Sequence, residues 1–570
     1  MPQPFRTDKV QKRQPTDPSK ELEELLIKAA GVFGDYVKKS TDQNTRVVDA
    51  CSVQELLSKI DLSLNYQGVG QKEIWQDIKT ICETATNTWN EKFLYKLYSS
   101  PTPIGVVSES LLGLLNNNVH VFQSSPIGAI LEATISNRLA EMCNFPKDTA
   151  SGLTFPGGSY SNLHALMVAR NQRFPEIKAQ GLWGLAESGI RPVVFTSAHA
   201  HYSIEKSAIA AGIGLENVVS VPTDNRGCMD ADALRLLVIR EIQSGGTPFF
   251  VNATAGTTVL SAFDPLDPIA AVCQEFDMWL HLDGSWGGPL ALFGDKSLFE
   301  YQIPTGKVNS FTINPHKLLG IPMQCSFLLV RDGLQVMRDA LGLGATYLYH
   351  STTDFHRQDE DRDLNSRYMQ QLGGSWDLGD ATMGCGRRPD AIKMWISWRY
   401  YGTQYFCDRV NRARQLAIDF ARLIVARGST DNGIWKLLIE PQSISVCFWF
   451  IPHSQTLRYG RTAANEYNKQ EDEDEDEGED EEEEEEEEYA EWWGDVTKTL
   501  CNQVNSQGNA LVDYATVERF RAVSQSPVVF ARYNVPYFFR IPFNNPNVTL
   551  DTQNAVLDAI EEASRIIYNE

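Results

Sequence analysis

A lysine at the end of a short apolar run is the first candidate for chemistry. Lys317 follows residues 310–313, which the sequence predicts to be a buried strand. Lysine is seldom buried unless it is paired or used. Apolar surroundings or a nearby positive charge lower the pKa of an amine, and the neutral fraction can form an imine with an aldehyde. The alternative is an exposed lysine on a strand-to-helix loop.

A carboxylate occupies the equivalent place one predicted strand earlier. Asp283 ends the apolar run 278–282 and is followed by small residues, 34 positions before Lys317. The interval is that of one crossover unit, so both side chains can face one crevice. A carboxylate there can pair with a protonated ring nitrogen and support a heterocycle that accepts electrons. A helix cap is the alternative.

Three weaker signals also follow predicted strands. His201 comes after the run 192–196 and could stack on an aromatic ring or cap a helix. Gly158 and Ser159 lie in a Pro-Gly-Gly loop where a helix should begin, which suits an anion, although such loops usually mark plain turns. Thr258 closes a hydroxyl-rich loop that also fits an ordinary turn.

These loops need a sheet that brings their ends together. Between about residues 125 and 401, short apolar runs alternate with amphipathic helical segments, which predicts a mainly parallel sheet with helices on both faces. The predicted strands are 192–196, 248–252, 278–282, 309–313 and 325–330.

The rest of the chain divides by composition and pattern. The prediction is a disordered tail at 1–20, a helical segment at 21–124, a large α/β domain at 125–401 and a smaller α+β domain at 402–570. A run at about 460–490 interrupts the last of these. Between positions 471 and 488, 17 of 18 residues are acidic, and this composition predicts a disordered insert.

Composition narrows the class of protein. The formal net charge of −23 would be −6 without those 17 acidic residues, and no basic stripe suggests nucleic acid as a partner. The ten cysteines show no metal-binding or redox spacing, so we expect neither a metal site nor a disulfide framework. A large chain without such a framework is typical of the cytoplasm, which is the location we expect. The polar N-terminus and the lack of a long apolar run predict neither a signal peptide nor a membrane span.

Together, in this order, the motifs resemble those of the group II pyridoxal-phosphate decarboxylases. The similarity runs from about Thr88 to the C-terminus without the acidic run, and it is closest to the glutamate and cysteine-sulfinate decarboxylase branch. The segments that carry it are NATAGTTVLSAFDPLDPI, WLHLDGSWGG, NPHKLLGIPMQCSFLLV and YFFRIPFNNP. The resemblance implies the aspartate-aminotransferase-like fold type I with a seven-stranded large domain, pyridoxal 5'-phosphate as cofactor, and a homodimer to which the helical segment contributes.

The resemblance also implies roles for single residues. Lys317 would form the Schiff base, Asp283 would pair with the pyridine nitrogen, and His201 would stack on the ring. The other cofactor-binding residues that it implies are Gly158, Ser159, Thr258, Asn314 and His316.

The resemblance also implies one residue that binds the substrate and one that donates a proton to it. Arg540 matches the arginine that binds the α-carboxylate, and Tyr347 resembles a loop tyrosine that protonates Cα, with 351–374 as a mobile lid. Without the family context, Arg540 would be a surface arginine and Tyr347 a tyrosine packed on a helix end.

Specificity is less well determined by the sequence. Lys96 stands near a glutamine of the glutamate enzymes, so an acidic substrate suits it by charge, and aspartate or cysteine sulfinate stay open beside glutamate. Two other functions stay open: decarboxylation of an aromatic amino acid, and a catalytically silent relative that binds a partner through its acidic arm.

Overall fold

The computed structural model describes residues 17–64, 68–297, 299, 301–349, 362–458, 479–522 and 530–568. The predicted tail therefore lies outside the described residues except at its end. There the first helix already begins at Pro18, because Asp17 caps it by accepting a hydrogen bond from the Ser19 N–H at 3.0 Å. No helix in the described part of the chain is long and apolar enough to cross a membrane.

A seven-stranded sheet forms the centre of the large domain, in the order β1-β7-β6-β5-β4-β2-β3. All strands run parallel except β7, which is antiparallel to both neighbours. Its strands are β1 (Ser151–Phe155), β2 (Arg191–Ser197), β3 (Val218–Val221), β4 (Gly246–Thr254), β5 (Trp279–Gly284), β6 (Ser310–Ile313) and β7 (Ser326–Val330). The five predicted strands are all present, and the fold class is confirmed.

Helices cover the sheet because its central strands are buried except at their first residues and present apolar side chains to both faces. The helices of this domain are α5 (Pro126–Met142), α6 (Gly158–Arg173), α7 (Ile177–Glu187), α8 (Ser203–Ala210), α9 (Ala231–Gln243), α10 (Leu266–Glu275), α11 (Gly288–Phe293), α12 (Leu334–Leu341) and α13 (Arg362–Gln371). Before them come α1 (Pro18–Ser40), α2 (Val53–Lys59), α3 (Gln71–Thr84) and α4 (Pro103–Leu115).

A long helix, α14 (Ala391–Arg427), leads into the smaller domain and is interrupted at Gly402, where φ is 79°. A five-stranded antiparallel sheet follows, in the order β11-β14-β10-β9-β8. The strands here are β8 (Ser429–Thr430), β9 (Gly433–Leu437), β10 (Ser445–Pro452), β11 (Asp513–Ala515), the hairpin β12 (Glu518–Ala522) and β13 (Phe530–Asn534), and β14 (Phe538–Pro542). The helices are α15 (His453–Arg458), α16 (Glu479–Gln507) and α17 (Leu550–Tyr568).

The acidic run differs in part from its prediction. Residues 459–478 lie outside the described residues, whereas 479–490 form the first turns of α16. Glutamate has a good intrinsic helix propensity, and α16 continues into apolar residues buried in the small domain, such as Val496 and Leu500.

A buried ion pair ties α5 to the edge of the large sheet. Glu132 is fully buried and accepts hydrogen bonds from the Thr154 N–H at 2.6 Å and from the Thr154 hydroxyl at 2.8 Å. Arg387, also buried, donates to the second oxygen of Glu132 at 3.2 Å. Because both charges lack water, removing one leaves the other uncompensated.

We expect Arg387→Ala to lower the free energy of unfolding by about 3–5 kcal/mol. The matched control is Arg138→Ala on α5, the helix of Glu132, because Arg138 pairs with Glu141 at 3.3 Å while half exposed to solvent. This control substitution should lower the free energy of unfolding by less than about 1 kcal/mol. The two variants are compared with the native protein by thermal unfolding followed by circular dichroism. Equal midpoints for both variants would contradict the role given to the buried pair.

Candidate active site

Strand register brings the candidate residues to one edge of the sheet. Asp283 in β5 lies opposite Thr254 of β4 and Thr312 of β6. Lys317 follows β6 after a tight turn, in which its N–H donates to the Asn314 carbonyl at 3.0 Å. The carboxylate and the amine therefore meet beyond the carboxyl ends of adjacent parallel strands, as their spacing predicts.

Asp283 is a carboxylate that stays ionised although it is only 4 % exposed. Asn162 of α6 donates its amide to one oxygen at 2.8 Å, and the Ser285 N–H donates to the other at 2.9 Å. Burial by itself would raise the pKa of Asp283, but the Ser285 hydrogen bonds and the neighbouring His201 and His281 hold it below its usual value.

A buried polar chain continues from Asp283 into the sheet. The Asn162 side-chain oxygen lies 3.1 Å from Nε2 of His281, whose Nδ1 lies 2.8 Å from the Ser310 hydroxyl. Burial lowers the pKa of His281 to about 4, so its imidazole is neutral near pH 7. The sequence analysis gave Asn162 and His281 no role. Strand alternation could have indicated His281, because residues two apart in a strand share a face.

Opposing effects set the pKa of the Lys317 amine. Burial lowers its pKa to about 8, and the charge of Arg540 lowers it as well, whereas Asp283 acts in the opposite direction. The three groups therefore interact across one cleft. At neutral pH a minor but substantial fraction of Lys317 is the neutral nucleophile.

His201 lies in the same electrostatic environment. Its Nδ1 accepts a hydrogen bond from the Ser203 N–H at 3.2 Å, at the start of α8. Burial is the main cause that lowers its pKa, the charge of Lys317 adds to this effect, and Asp283 opposes it. His201 is therefore a neutral, half-buried ring beside the amine and the carboxylate.

The Pro-Gly-Gly loop forms a narrow cradle at the start of α6. Gly157 has a φ of 105°, and α6 begins at Gly158 with no side-chain cap, so its first N–H groups remain available. A Cβ on Gly158 would lie 2.4 Å from the Ser285 hydroxyl and 2.7 Å from the Asn314 amide, so only glycine fits. Ser159, exposed, is the second residue of the helix.

Two other predicted cofactor residues lie at the rim of this region. His316 is buried, and its Nδ1 accepts from the Cys325 N–H at 3.1 Å; burial lowers its pKa to about 4. Thr258 is half buried, and its carbonyl accepts a hydrogen bond from Arg540 at 3.0 Å. The structure thus brings Thr258 to the predicted substrate arginine.

Arg540 is not a surface arginine. It is 5 % exposed and donates to the Tyr95 carbonyl at 3.1 Å as well as to Thr258. It also forms an ion pair with Asp513, a residue that the sequence analysis missed. Lys96 binds the same Asp513 oxygen at 3.0 Å. The two predicted substrate residues are therefore neighbours.

Tyr347 is the predicted site residue that the structure does not bring to the cleft. Its side chain is 84 % exposed. Of the predicted lid, 351–361 lie outside the described residues, but Arg362–Gln371 form α13. Leu372 is fully buried and Tyr368 packs on Trp376, so this part of 351–374 belongs to the core rather than to a polar lid.

Comparisons with known proteins identify the family of the chain. Residues 54–451 match the family model described as the pyridoxal-dependent decarboxylase conserved domain. The chain belongs to this family. It is 40 % identical over 390 residues to an L-aspartate decarboxylase of Metarhizium robertsii, covering 68 % of this chain and 71 % of that one.

Two further relatives extend the comparison. An acidic amino acid decarboxylase of Bos taurus is 36 % identical over 423 residues, covering 74 % of this chain and 75 % of its own. The crystal structure of mouse CSAD superposes with a TM-score of 0.77 at 27 % identity, covering 96 % of this chain and 99 % of the mouse chain. The protein is thus an amino-acid decarboxylase whose cofactor is pyridoxal phosphate.

The residues present fit that cofactor. The open N-terminus of α6 suits a phosphate, since free N–H groups and the helix dipole both favour an anion. Beside it, the Asn314 side-chain oxygen is buried and has no hydrogen-bond partner among the described residues. Asp283 provides a buried negative charge for a protonated ring nitrogen, and Lys317 provides the amine.

The lowered pKa of Lys317 gives this decarboxylase a testable pH profile. The amine loses its proton as the pH rises through about 8, so uptake of pyridoxal phosphate by the apoprotein should accelerate from pH 6.5 to 9 and then level off. Because the charge of Arg540 lowers the pKa, Arg540→Gln should move the midpoint to higher pH. The exposed Arg422→Gln is the control. The measurement is stopped-flow absorbance, and a native midpoint near 10.5 would be the contrary result.

Proposed function

We propose that this decarboxylase removes the α-carboxyl group of an acidic L-amino acid, with aspartate and cysteine sulfinate as the first candidates beside glutamate. The observation that carries the proposal is that buried Arg540 and Lys96 bind the same carboxylate, Asp513. Two cations suit a substrate with two acidic groups, whereas an aromatic side chain would leave the two remaining donors of the Lys96 ammonium without an acceptor. The named activities of the relatives from M. robertsii and B. taurus support the same class.

In the proposed mechanism, each residue performs a local task. Bound pyridoxal phosphate supplies an aldehyde and an electron-accepting pyridine ring. Lys317 would hold the cofactor through its aldehyde, and Asp283 would keep a proton on the ring nitrogen. His201 would contact the ring as a neutral imidazole. Gly158 and Ser159 would bind the phosphate through their N–H groups.

Arg540 orients the bond that breaks. Its fixed guanidinium would hold the α-carboxylate and so orient the bond from Cα to that group. Fixing a reacting group in this way is worth on the order of 7–11 kcal/mol in favourable cases. Lys96 takes the side-chain acid. Thr258, through its carbonyl, and Asn314 and His316, through their side chains, complete the walls of the site.

Tyr347 is proposed to deliver the proton to Cα after carbon dioxide leaves. Because its side chain is exposed, this role requires the segment around it to close over the cleft. Its phenol then replaces water as the proton source. Tyr347→Phe should therefore slow product formation and leave cofactor binding intact, and an unchanged rate would remove Tyr347 from the mechanism.

The assembly and location are also proposals. Large apolar side chains are exposed on the N-terminal helices, including Ile27 at 68 %, Val107 at 61 % and Leu114 at 63 %, which favours a homodimer burying them. All ten cysteines are free thiols, as expected in the cytoplasm. Light scattering after size exclusion should give twice the chain mass, and a fluorescent fusion should be diffuse in the cytoplasm.

A substrate panel tests the activity. Release of carbon dioxide should be fastest with acidic amino acids and at least about tenfold slower with DOPA or tryptophan, the effect of roughly 1.4 kcal/mol in transition-state binding. Lys317→Ala should lack both this activity and the visible absorption band of the native protein. Lys307→Ala, an exposed lysine, is the control. Faster turnover of aromatic substrates would favour the aromatic alternative, and a colourless native protein with no turnover would favour the silent relative.

A further inference from the structure

One carboxylate holds both substrate-binding cations. Asp513 in β11 lies directly opposite Arg540 in β14, and opposed residues of neighbouring strands have their side chains on the same face. Oδ2 of Asp513 accepts from Arg540 Nη2 and, at 3.0 Å, from Lys96 Nζ. The other oxygen accepts from the Tyr514 N–H at 3.1 Å. The register of the small sheet therefore fixes where two cations from distant parts of the chain meet.

The guanidinium of Arg540 is immobilised on three sides and free on one. Its terminal nitrogens bind the Thr258 carbonyl, the Tyr95 carbonyl and Asp513. Its Nε is buried and has no hydrogen-bond partner in the described part of the chain. A buried donor without a partner is costly, which points to a ligand acceptor at this position. The positive charge of Arg540 is also among the causes that lower the pKa of Lys317.

Lys96 would be mobile without Asp513. Its side chain is 44 % exposed, and an exposed lysine ordinarily samples many rotamers. Here the ammonium is held by Asp513 and lies 3.8 Å from the centroid of the Tyr95 ring. The backbone is held too, since the Lys96 carbonyl accepts from the Asn544 amide at 2.8 Å. Two donors of the ammonium remain for a substrate acid.

We propose that Asp513 is a positioning residue for substrate specificity, which fixes Lys96 close to Arg540 and so selects acidic amino acids with short side chains over glutamate. The inference rests on the proposed function. Two donors that share one oxygen lie within about 6 Å of each other. Two carbons separate the acidic carbons of aspartate and three separate those of glutamate, so a short fixed spacing suits aspartate or cysteine sulfinate better.

The experiment measures KM and kcat of the holoenzyme for aspartate, cysteine sulfinate and glutamate. Native protein should prefer the two short acids. In Asp513→Asn, which preserves shape but not charge, KM for aspartate should rise about tenfold, more than kcat changes. The preference for aspartate over glutamate should shrink at the same time, because a released Lys96 can follow a longer side chain. Asp513→Glu, which restores the charge, should recover part of the preference.

Two further measurements separate positioning from a general structural role. In the double variant Asp513→Asn with Lys96→Gln, the preference for aspartate over glutamate should equal that of Lys96→Gln alone, because Asp513 sets this preference through Lys96. The visible absorption band and the cofactor affinity should match those of native protein. Asp419→Asn, an exposed aspartate on α14, is the control and should change nothing.

The outcomes distinguish this inference from the proposed function. A native enzyme that decarboxylates acids but prefers glutamate overturns the inference and leaves the function intact. Additive effects in the double variant, or loss of cofactor in Asp513→Asn, also overturn it. A native enzyme that decarboxylates none of the acids overturns both.

Discussion

The arrangement of the cleft depends on Asp283, an ionised carboxylate that is buried away from water. Burying such a charge costs several kcal/mol unless hydrogen bonds and opposite charge compensate. For Asp283 the compensation comes from the hydrogen bonds donated by the Asn162 amide and by Ser285. Asn162 can serve because its other end is fixed by His281. The negative charge is therefore in place before any cationic ring nitrogen arrives, which is preorganisation at the expense of folding stability.

The same carboxylate sets the reactivity of the amine across the cleft. Burial alone would make Lys317 a weaker base than it is, and Asp283 restores part of its basicity while Arg540 takes some away. A pKa near 8 is a compromise between having neutral amine to attack an aldehyde and having a proton to exchange with the substrate. Arg540, the proposed substrate-binding residue, thus lowers the pKa of the Lys317 amine even when no substrate is bound.

The sequence predicts those parts of this arrangement that are local in the chain. Central strands are apolar because both of their faces are covered, and residues at their carboxyl ends, such as Lys317 and Asp283, follow from that pattern. An apolar run does not indicate in which direction a strand runs, so the sequence could not predict that β7 is antiparallel to its neighbours. The short β1 has serine, glycine and threonine among its five residues, a composition that is typical of a loop. Asn162 was missed because its partners lie 119 and 121 positions away. The periodicity of a sequence indicates which residues share a face of one helix or strand, but not which residues more than a hundred positions apart are in contact.

Asp513 illustrates the same limit at the substrate end and explains why its neighbours can coexist. Two cations a few ångströms apart repel by several kcal/mol at a dielectric constant of about 20, so Lys96 and Arg540 need a shared counter-ion to stay together. Once Asp513 supplies it, one net positive charge remains among the three groups, enough to attract any acidic substrate. Attraction alone distinguishes poorly between acids of different length. Discrimination has to come from the fixed distance between the donors, which Asp513 holds because it binds Lys96 and is placed opposite Arg540 by the pairing of β11 with β14.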